Sequence, residues 1–186
     1  MSKILLGYWD LRGLGEPIRL MLEHAGADYV EKKYQHYKLA DGYDRTDWHS
    51  VKFSLGLAYP NLPYLIDGDV KVTESWAIMK YLSRKFEKLG PENEEERIKC
   101  DVTEGVVQDF RQGFTSMCYN PDFESLKTNY LRDLPGKLEM FEKNLSSSGW
   151  LVSSKKFESL EKIASYKKSN RFQKLPLNGK MAWGGE

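Results

Sequence analysis

Residues 61–75 constrain the fold most, because they combine two short β-type runs, a tight turn and the start of a helix. The runs cover residues 64–66 and 70–73, and Asp-Gly-Asp lies between them, with Gly68 able to adopt a positive φ. Thr-Glu-Ser at residues 73–75 then precedes a stretch with helical period, which predicts a helix N-terminus. We therefore expect a β-hairpin followed directly by a helix.

Pro63 opens this hairpin at a position where it cannot join a central hydrogen-bond ladder. We expect a bend there, with a cis peptide bond as one way to form it, and we expect the backbone of Leu62 to be unpaired. A free strand edge beside a helix N-terminus suits an extended, anionic peptide, whereas an ordinary edge hairpin is the alternative interpretation.

The residues before the hairpin predict a strand, a helix and a second strand. Residues 3–8 form the first strand, and residues 29–34 suit a second strand with more charges. Between them, Glu16-Pro17 begins a helix and Gly26 is placed to end it. This order predicts a parallel strand pair joined by a right-handed crossover.

Gly-Leu-Gly at residues 13–15 invites comparison with a dinucleotide-binding loop. Ile18 stands where the third glycine of such a loop belongs, so we reject that interpretation. Residues 35–57 have no clear period and predict a long loop with a short helix. With a helix over residues 75–86, residues 1–87 together predict an α/β domain.

The composition changes after the seam Lys-Leu-Gly-Pro at residues 88–91, which suits a domain boundary. Acidic residues at 94–96 suit a helix N-terminus, and apolar residues then recur at spacings of three and four from Ile98 to Met117. A second helix runs through residues 126–141, with Pro135 as a kink or break, and a short helix follows at residues 158–168. Residues 91–186 thus predict an all-α domain.

Charge and cysteine content argue against several functions. The 28 basic and 27 acidic residues leave a formal charge of +1, so we expect neither a nucleic-acid nor a membrane partner. The only cysteines, Cys100 and Cys118, form neither a CxxC pair nor a metal set with the three histidines. The apolar run at residues 4–6 is too short for a signal peptide or a membrane span. We expect a cytoplasmic protein without a metal.

Four motifs resemble those of the cytosolic glutathione transferases, and of their mu class in particular. They are Gly-Tyr-Trp-Asp-Leu-Arg-Gly-Leu at residues 7–14, Tyr-Asp-Arg with Trp48 at 43–48, residues 53–68, and Cys-Tyr-Asn-Pro-Asp-Phe at 118–123. The similarity runs from residue 3 to 150 and resumes at about 157. It implies a thioredoxin-like, glutathione-binding domain at residues 1–87, an all-helical domain at 91–186 and a homodimer, with glutathione as co-substrate and no cofactor.

The family adds the glutathione thiolate to an electrophile. A free thiol is mostly protonated at neutral pH, and a neutral phenol that donates a hydrogen bond to the sulfur favours the thiolate. By resemblance, Tyr8 is this catalytic donor. The resemblance also implies a set of glutathione contacts: Tyr8, Trp9, Arg45, Trp48, Lys52, Asn61, Leu62, Glu74, Ser75, and Asp109 from the neighbouring subunit.

The resemblance assigns further residues to the electrophile and to the dimer. The implied walls of the electrophile site are Leu14, Gln112, Ser116 and Tyr119. Tyr119 is placed to donate a proton or hydrogen bond to the substrate. Tyr59 corresponds to an aromatic key that inserts between subunits. Glu74, where the mu class usually has glutamine, and Asn178 and Gly179, near the C-terminus, depart from the family pattern.

Mu-class chains continue after the equivalent of Val152 with a capping-box turn and two helices, which this sequence lacks. We therefore expect a helical domain shortened after about residue 152, with apolar helix faces uncovered. The first hypothesis is an active transferase that conjugates glutathione to small hydrophobic electrophiles in detoxification. The alternative is a catalytically impaired protein that binds glutathione or a hydrophobic ligand. A thioredoxin-type disulfide oxidoreductase is excluded, because no cysteine follows the first strand.

Overall fold

The computed structural model describes residues 3–39, 42–86, 89–145, 151–152 and 160–172. Contacts along the chain define two units, one of residues 1–90 with 158–186 and one of residues 91–157. The strands are β1 (Ile4–Trp9), β2 (Tyr29–Tyr34), β3 (Tyr37–Leu39), β4 (Gly42–Asp44), β5 (Tyr64–Asp67) and β6 (Val70–Thr73). The helices are α1 (Gly15–Ala25), α2 (Thr46–His49), α3 (Ser75–Lys85), α4 (Glu94–Cys118), α5 (Phe123–Lys143) and α6 (Leu160–Lys168).

Four strands of the first unit form one sheet in the order β2-β1-β5-β6. β1 runs parallel to β2, whereas β5 is antiparallel to both β1 and β6. The hairpin turn has Gly68 at a φ of 60°, and α3 begins at Ser75 immediately after β6. The predicted strand–helix–strand unit and the hairpin followed by a helix are therefore confirmed.

The core of the first unit joins this sheet to α1 and α3. It consists of seven aliphatic side chains: Ile4, Leu6, Ile18, Leu22, Leu65, Ile78 and Leu82. Burying each such side chain contributes about 1.5–3 kcal/mol. Gly26 ends α1 in the left-handed conformation, as predicted. α6, which the sequence places in the helical range 91–186, contacts α1 and lies in the first unit, with Tyr166 buried.

The segment predicted as a long loop contains more regular structure than expected. β3 and β4 pair in the antiparallel direction, with Tyr37 opposite Asp44. α2 is the predicted short helix and is confirmed. The two strands were missed because three residues are too few for a period of two to appear in a sequence.

The long helices of the second unit begin and end close to the predicted positions. Asn93 caps α4, because its side-chain oxygen accepts a hydrogen bond of 2.9 Å from the N–H of Glu96. α5 continues through Pro135, so of the predicted kink or break, the break is wrong. Proline lacks one N–H, but the other backbone hydrogen bonds of this 21-residue helix keep it continuous at that position. None of the described helices is long and apolar enough to cross a membrane.

The apolar faces of α4 and α5 are only partly covered. The rings of Phe110 and Phe141 pack edge-to-face across the two helices, with centroids 5.3 Å apart. Ile98 and Val102, predicted on the apolar side of α4, are nevertheless 57% and 62% exposed. No side chain of α5 is buried along its described length. Its exposed leucines include two at a spacing of seven, Leu131 and Leu138.

Candidate functional site

Tyr8 lies near the end of β1, with its ring in the protein interior and only 6% of its surface exposed. Its hydroxyl oxygen accepts a hydrogen bond of 3.0 Å from the N–H of Leu14. Leu14 is the residue that precedes α1, so this N–H is among the donors that a helix leaves unsatisfied at its start. The phenol therefore lies at the electropositive end of α1, where a negative charge is stabilised.

Two glycines make room for this phenol. Gly13 has a φ of 37°, and a Cβ built on it would lie 2.6 Å from the Tyr8 hydroxyl. A Cβ on Gly15 would lie 2.6 Å from Tyr8 Cδ1. The Gly-Leu-Gly sequence, rejected as a dinucleotide-binding loop, is thus required by the close approach of an aromatic ring. In the sequence, the sign of this close approach was that the two glycines follow shortly after Tyr8.

Two neighbouring tyrosines are bonded differently from Tyr8. The hydroxyls of Tyr34 and Tyr64 hydrogen-bond to each other at 2.9 Å in the interior. Burial raises the pKa of Tyr64, and the bond to Tyr34 raises it further. Burial also raises the pKa of Tyr34 and outweighs the opposite effect of its bond to Tyr64. Both phenols stay neutral and structural, and Tyr8 is the one that faces a helix N-terminus.

The start of the hairpin departs from the prediction in one respect. The Leu62–Pro63 peptide bond is cis, as proposed from the sequence. The N–H of Leu62, however, donates a hydrogen bond of 2.9 Å to Oδ1 of Asn61. The expectation that the backbone of Leu62 is unpaired is therefore wrong at its N–H, because an adjacent side-chain amide can close a local turn that sequence patterns do not reveal.

Glu74 links the two ends of the hairpin. Its φ of 70° lies in the left-handed region, which costs a non-glycine residue on the order of 1–3 kcal/mol. Its carboxylate accepts a hydrogen bond of 3.1 Å from Nδ2 of Asn61, so one amide contacts both Leu62 and Glu74. Ser75 follows, largely buried at the first position of α3. The register that sets Tyr64 opposite Thr73 could have revealed this juxtaposition.

Trp9 and Arg45 flank a histidine that sequence reasoning did not select. The ring of His36 lies edge-on to Trp9, with centroids 5.6 Å apart, and at the same distance from Tyr43. Burial lowers the pKa of His36, the charge of Arg45 lowers it further, and Asp10 opposes both. His36 is therefore a neutral packing partner of Trp9 at physiological pH.

Trp48 and Lys52 differ strongly in environment. Trp48 is 3% exposed, and its ring stacks on Tyr64 with centroids 6.0 Å apart, so it belongs to the core and holds α2 to the sheet. The ammonium of Lys52 lies 5.5 Å from the ring centre of Phe53. Tyr59, the predicted subunit key, is 81% exposed.

The predicted residues of the second unit share one exposed face of α4 and its C-terminal cap: Asp109, Gln112, Ser116 and Tyr119. Their spacings of three, four and three residues account for this arrangement. Nε2 of Gln112 donates a hydrogen bond of 3.0 Å to Oγ of Ser116. Leu14 lies in the first unit, and Asn178 and Gly179 lie outside the described residues.

Comparison with known proteins decides the family. The family model "Glutathione S-transferase, N-terminal domain" matches residues 5–84. Glutathione S-transferase Mu 3 from Homo sapiens is 41% identical, over all of this chain and 97% of its own length. Glutathione S-transferase Mu 4 from Mus musculus is 40% identical, over 97% of this chain and 98% of its own length. The chain belongs to the glutathione S-transferases, in their mu class.

Solved structures agree with this transferase assignment. The crystal structure of the glutathione S-transferase Blo t 8 is 32% identical, with a TM-score of 0.68, over 90% of this chain and 79% of its own. The Pi-class glutathione S-transferase of Onchocerca volvulus is 29% identical, with a TM-score of 0.68, over 91% and 80%. The predicted thioredoxin-like α/β domain followed by an all-α region is confirmed.

The match of this transferase to the human protein also bears on its length. It extends over 220 positions, whereas this chain has 186 residues, so the relative carries a segment without a counterpart here. That the segment is missing after about residue 152 stays a prediction.

The first unit of this transferase brings part of the predicted site together. Tyr8, Trp48 and Leu62 belong to one buried cluster, because β1 pairs with β5 directly after the cis bond. Asn61 and Glu74 are bonded to each other. Among the described residues, no group of His, Cys, Asp or Glu is arranged to hold a metal.

Proposed function

We propose that Tyr8 is the catalytic residue with which this transferase conjugates the glutathione thiolate to small hydrophobic electrophiles. The observation that carries the proposal is the hydrogen bond between the N–H of Leu14 and the Tyr8 hydroxyl. With its oxygen accepting from this amide, the phenol is oriented to donate its own proton to a second group. A hydrogen bond that accepts from the backbone also strengthens the O–H as a donor.

The thiol of glutathione has an ordinary pKa of about 8.5, so at pH 7 only a small fraction is thiolate. A hydrogen bond from Tyr8 to the sulfur favours the charged form, as does the N-terminus of α1, and the thiol proton is released to water. The thiolate then forms a carbon–sulfur bond with the electrophile. With an aromatic halide, the halide leaves with the bonding electron pair.

For glutathione itself, we propose that the backbone of Leu62 pairs with the cysteinyl part of the peptide. Ser75 and the first amides of α3 receive the γ-glutamyl carboxylate, and Glu74 binds the α-amino group. Asn61, which is bonded to both Leu62 and Glu74, adjusts as the peptide enters. The remaining proposed contacts are Trp9, Arg45, Trp48 and Lys52, with Asp109 supplied by a second subunit.

For the electrophile, we propose contacts with Leu14, Gln112, Ser116 and Tyr119, as the resemblance to the family implies. The exposed Tyr119 donates a hydrogen bond to the reacting group there. Members of the family usually form dimers, and we propose a homodimer in which Tyr59 inserts into the other subunit. Its 81% exposure leaves a large aromatic surface for such a contact. We also propose a cytoplasmic location and domains at residues 1–87 and 91–186.

The test is Tyr8→Phe, which removes the donor and keeps the ring. We expect kcat for conjugation of an aromatic halide to fall on the order of 100-fold, because one preorganised donor to the developing charge is lost. Glutathione affinity should change by less than about twofold, since the peptide contacts remain. Tyr37→Phe, at a tyrosine 62% exposed in β3, is the matched control and should retain full activity.

Unchanged turnover in Tyr8→Phe would overturn the mechanism. A wild-type chain that folds and binds glutathione without turnover would instead favour the binding-protein alternative. A thermal melt recorded with and without glutathione separates that case from an unfolded chain.

A further inference from the structure

Arg19, on α1, is a buried arginine that the proposed mechanism does not use. Its side chain is 1% exposed, and its guanidinium donates to four groups. Nε and Nη2 both donate to one carboxylate oxygen of Glu31, at 2.8 and 2.5 Å. Nη1 donates to a carboxylate oxygen of Glu16 at 3.2 Å. A buried cation with two carboxylates around it is held in one orientation, because each alternative orientation would leave a charge unpaired.

The remaining bonds of Arg19 go to the loop between β1 and α1. Nη1 donates to the backbone carbonyls of Leu11 at 3.1 Å and Arg12 at 3.3 Å. A second contact holds the loop, because the guanidinium of Arg12 lies 5.4 Å from the ring centre of Phe172. The conformation of residues 11–12 is thus set by side chains from α1 and from the segment after α6.

This loop carries the amide that bonds to the Tyr8 hydroxyl. Only Gly13 separates Arg12 from Leu14, whose N–H lies 3.0 Å from the phenol oxygen. Gly13 has a positive φ and is packed against the ring of Tyr8, so a shift of the Arg12 carbonyl passes directly to Leu14. A Cβ on Gly15 would lie 2.6 Å from Cδ1 of Tyr8 and 3.2 Å from Nη2 of Arg19. The guanidinium and the phenol therefore both contact the short segment of residues 11–15.

We propose that Arg19, fixed by Glu16 and Glu31, is a positioning residue for Tyr8: it holds the loop amide that aims the Tyr8 hydroxyl at the sulfur of glutathione. The proposal rests on the proposed role of Tyr8. Glu31 belongs to β2, so Arg19 connects the parallel strand pair to the loop that holds the catalytic phenol. Arg19 itself touches neither glutathione nor the electrophile.

A structural role and a positioning role predict different measurements. Removing part of the buried cluster lowers the thermal stability in either case. Only a positioning role also changes the ionisation of the thiol of bound glutathione, because that depends on the aim of the Tyr8 hydroxyl. The informative readouts are therefore the pH titration of the bound thiolate by its ultraviolet absorbance and the separation of kcat from the KM for glutathione.

The experiment uses the full chain with Arg19→Lys and, as a milder change, Glu31→Gln, which retains an acceptor for the guanidinium. We expect the thiolate titration of the bound glutathione to move up by about one pH unit. We expect kcat to fall roughly tenfold, with a KM for glutathione within about twofold of the wild type, because a small misplacement of a catalytic group acts on the chemical step.

The control is Asp67→Asn, which removes a carboxylate bonded to Tyr81 at 2.6 Å and to Lys85 in the same unit. This network touches neither the loop nor Tyr8, so it should lower the melting temperature without moving the thiolate titration. The proposal is overturned if both cluster variants behave like this control. If Arg19→Lys does not fold, Glu31→Gln decides. If Tyr8→Phe itself leaves the titration unchanged, the proposed function fails instead, whatever the Arg19 variants do.

Discussion

The ring of Tyr8 lies against the backbone of Gly15, close enough that a Cβ there would be 2.6 Å from Cδ1 and 3.1 Å from Cγ. Gly15 is the first residue of α1 and has no positive φ, so its backbone accepts an alanine without strain. The glycine is therefore needed for the space it leaves.

Gly15→Ala tests this point at the scale of one methyl group. We expect kcat to fall roughly tenfold or more, because the ring must move and its bond to Leu14 lengthens. Overpacking should cost about 1–3 kcal/mol in the free energy of unfolding. Gly136→Ala in α5, where a Cβ meets nothing within 4 Å, is the matched control and should leave kcat unchanged. Equal kinetics of the two variants would contradict the prediction.

At the scale of elements, the β5–β6 hairpin leads into the first residues of α3, and together they form the surface proposed to bind glutathione. The hairpin register sets Tyr64 opposite Thr73 and so brings Asn61 to the carboxylate of Glu74. The strained φ of Glu74 turns the chain from β6 directly into α3. Only Glu74 lies between β6 and α3, so the strand edge and the helix N-terminus are adjacent.

Glu74→Gln should raise the KM for glutathione about fivefold and leave kcat unchanged. Glutamine retains an acceptor for Asn61, but a charge-assisted hydrogen bond to the ligand's α-amino group becomes a neutral one, a difference of about 1 kcal/mol. Asp69→Asn, an acid-to-amide change in the exposed turn of the same hairpin, serves as the control. Steady-state kinetics with varied glutathione would measure the effect, and a KM equal to the wild type would disprove the role of Glu74.

At the scale of the whole molecule, burial is distributed unevenly. The two buried side-chain clusters both lie in the first unit. In the second, α5 contributes no buried residue and presents half-exposed leucines. Local opening of a region costs least where the fewest apolar contacts must be broken, so the helical unit should open before the sheet.

Native-state hydrogen exchange, read by mass spectrometry, provides the measurement. We expect the amides of α5 to exchange well before those of β1 and α3 in the ligand-free protein. The reason is that the rings that pack α5 against α4 are themselves only partly buried. Peptides from α1 serve as an internal reference for the first unit. Equal protection of α5 and β1 would contradict this expectation and would indicate that another surface covers α5.

Much of the fold is predictable from contiguous residues. Gly68 between two β-type runs gave the hairpin, Glu16-Pro17 and Gly26 gave the limits of α1, and the acidic turn after Asn93 gave the start of α4 to within a few residues. Each depends on backbone preferences that act over one or two turns of chain. Strands of three residues, such as β3 and β4, escape this logic because they are too short to show a period.

The sequence by itself therefore determined the order of the longer strands and of the helices, the hairpin, the helix limits and the family-like motifs around Tyr8. Only the tertiary structure decided that Leu14 donates to Tyr8, that Asn61 covers the N–H of Leu62 and joins Glu74, and that the apolar stripe of α5 is left largely exposed. The physical reason is range: turn and helix preferences reside in neighbouring residues, whereas a hydrogen bond or a packed surface depends on which distant atoms the folded chain brings within contact.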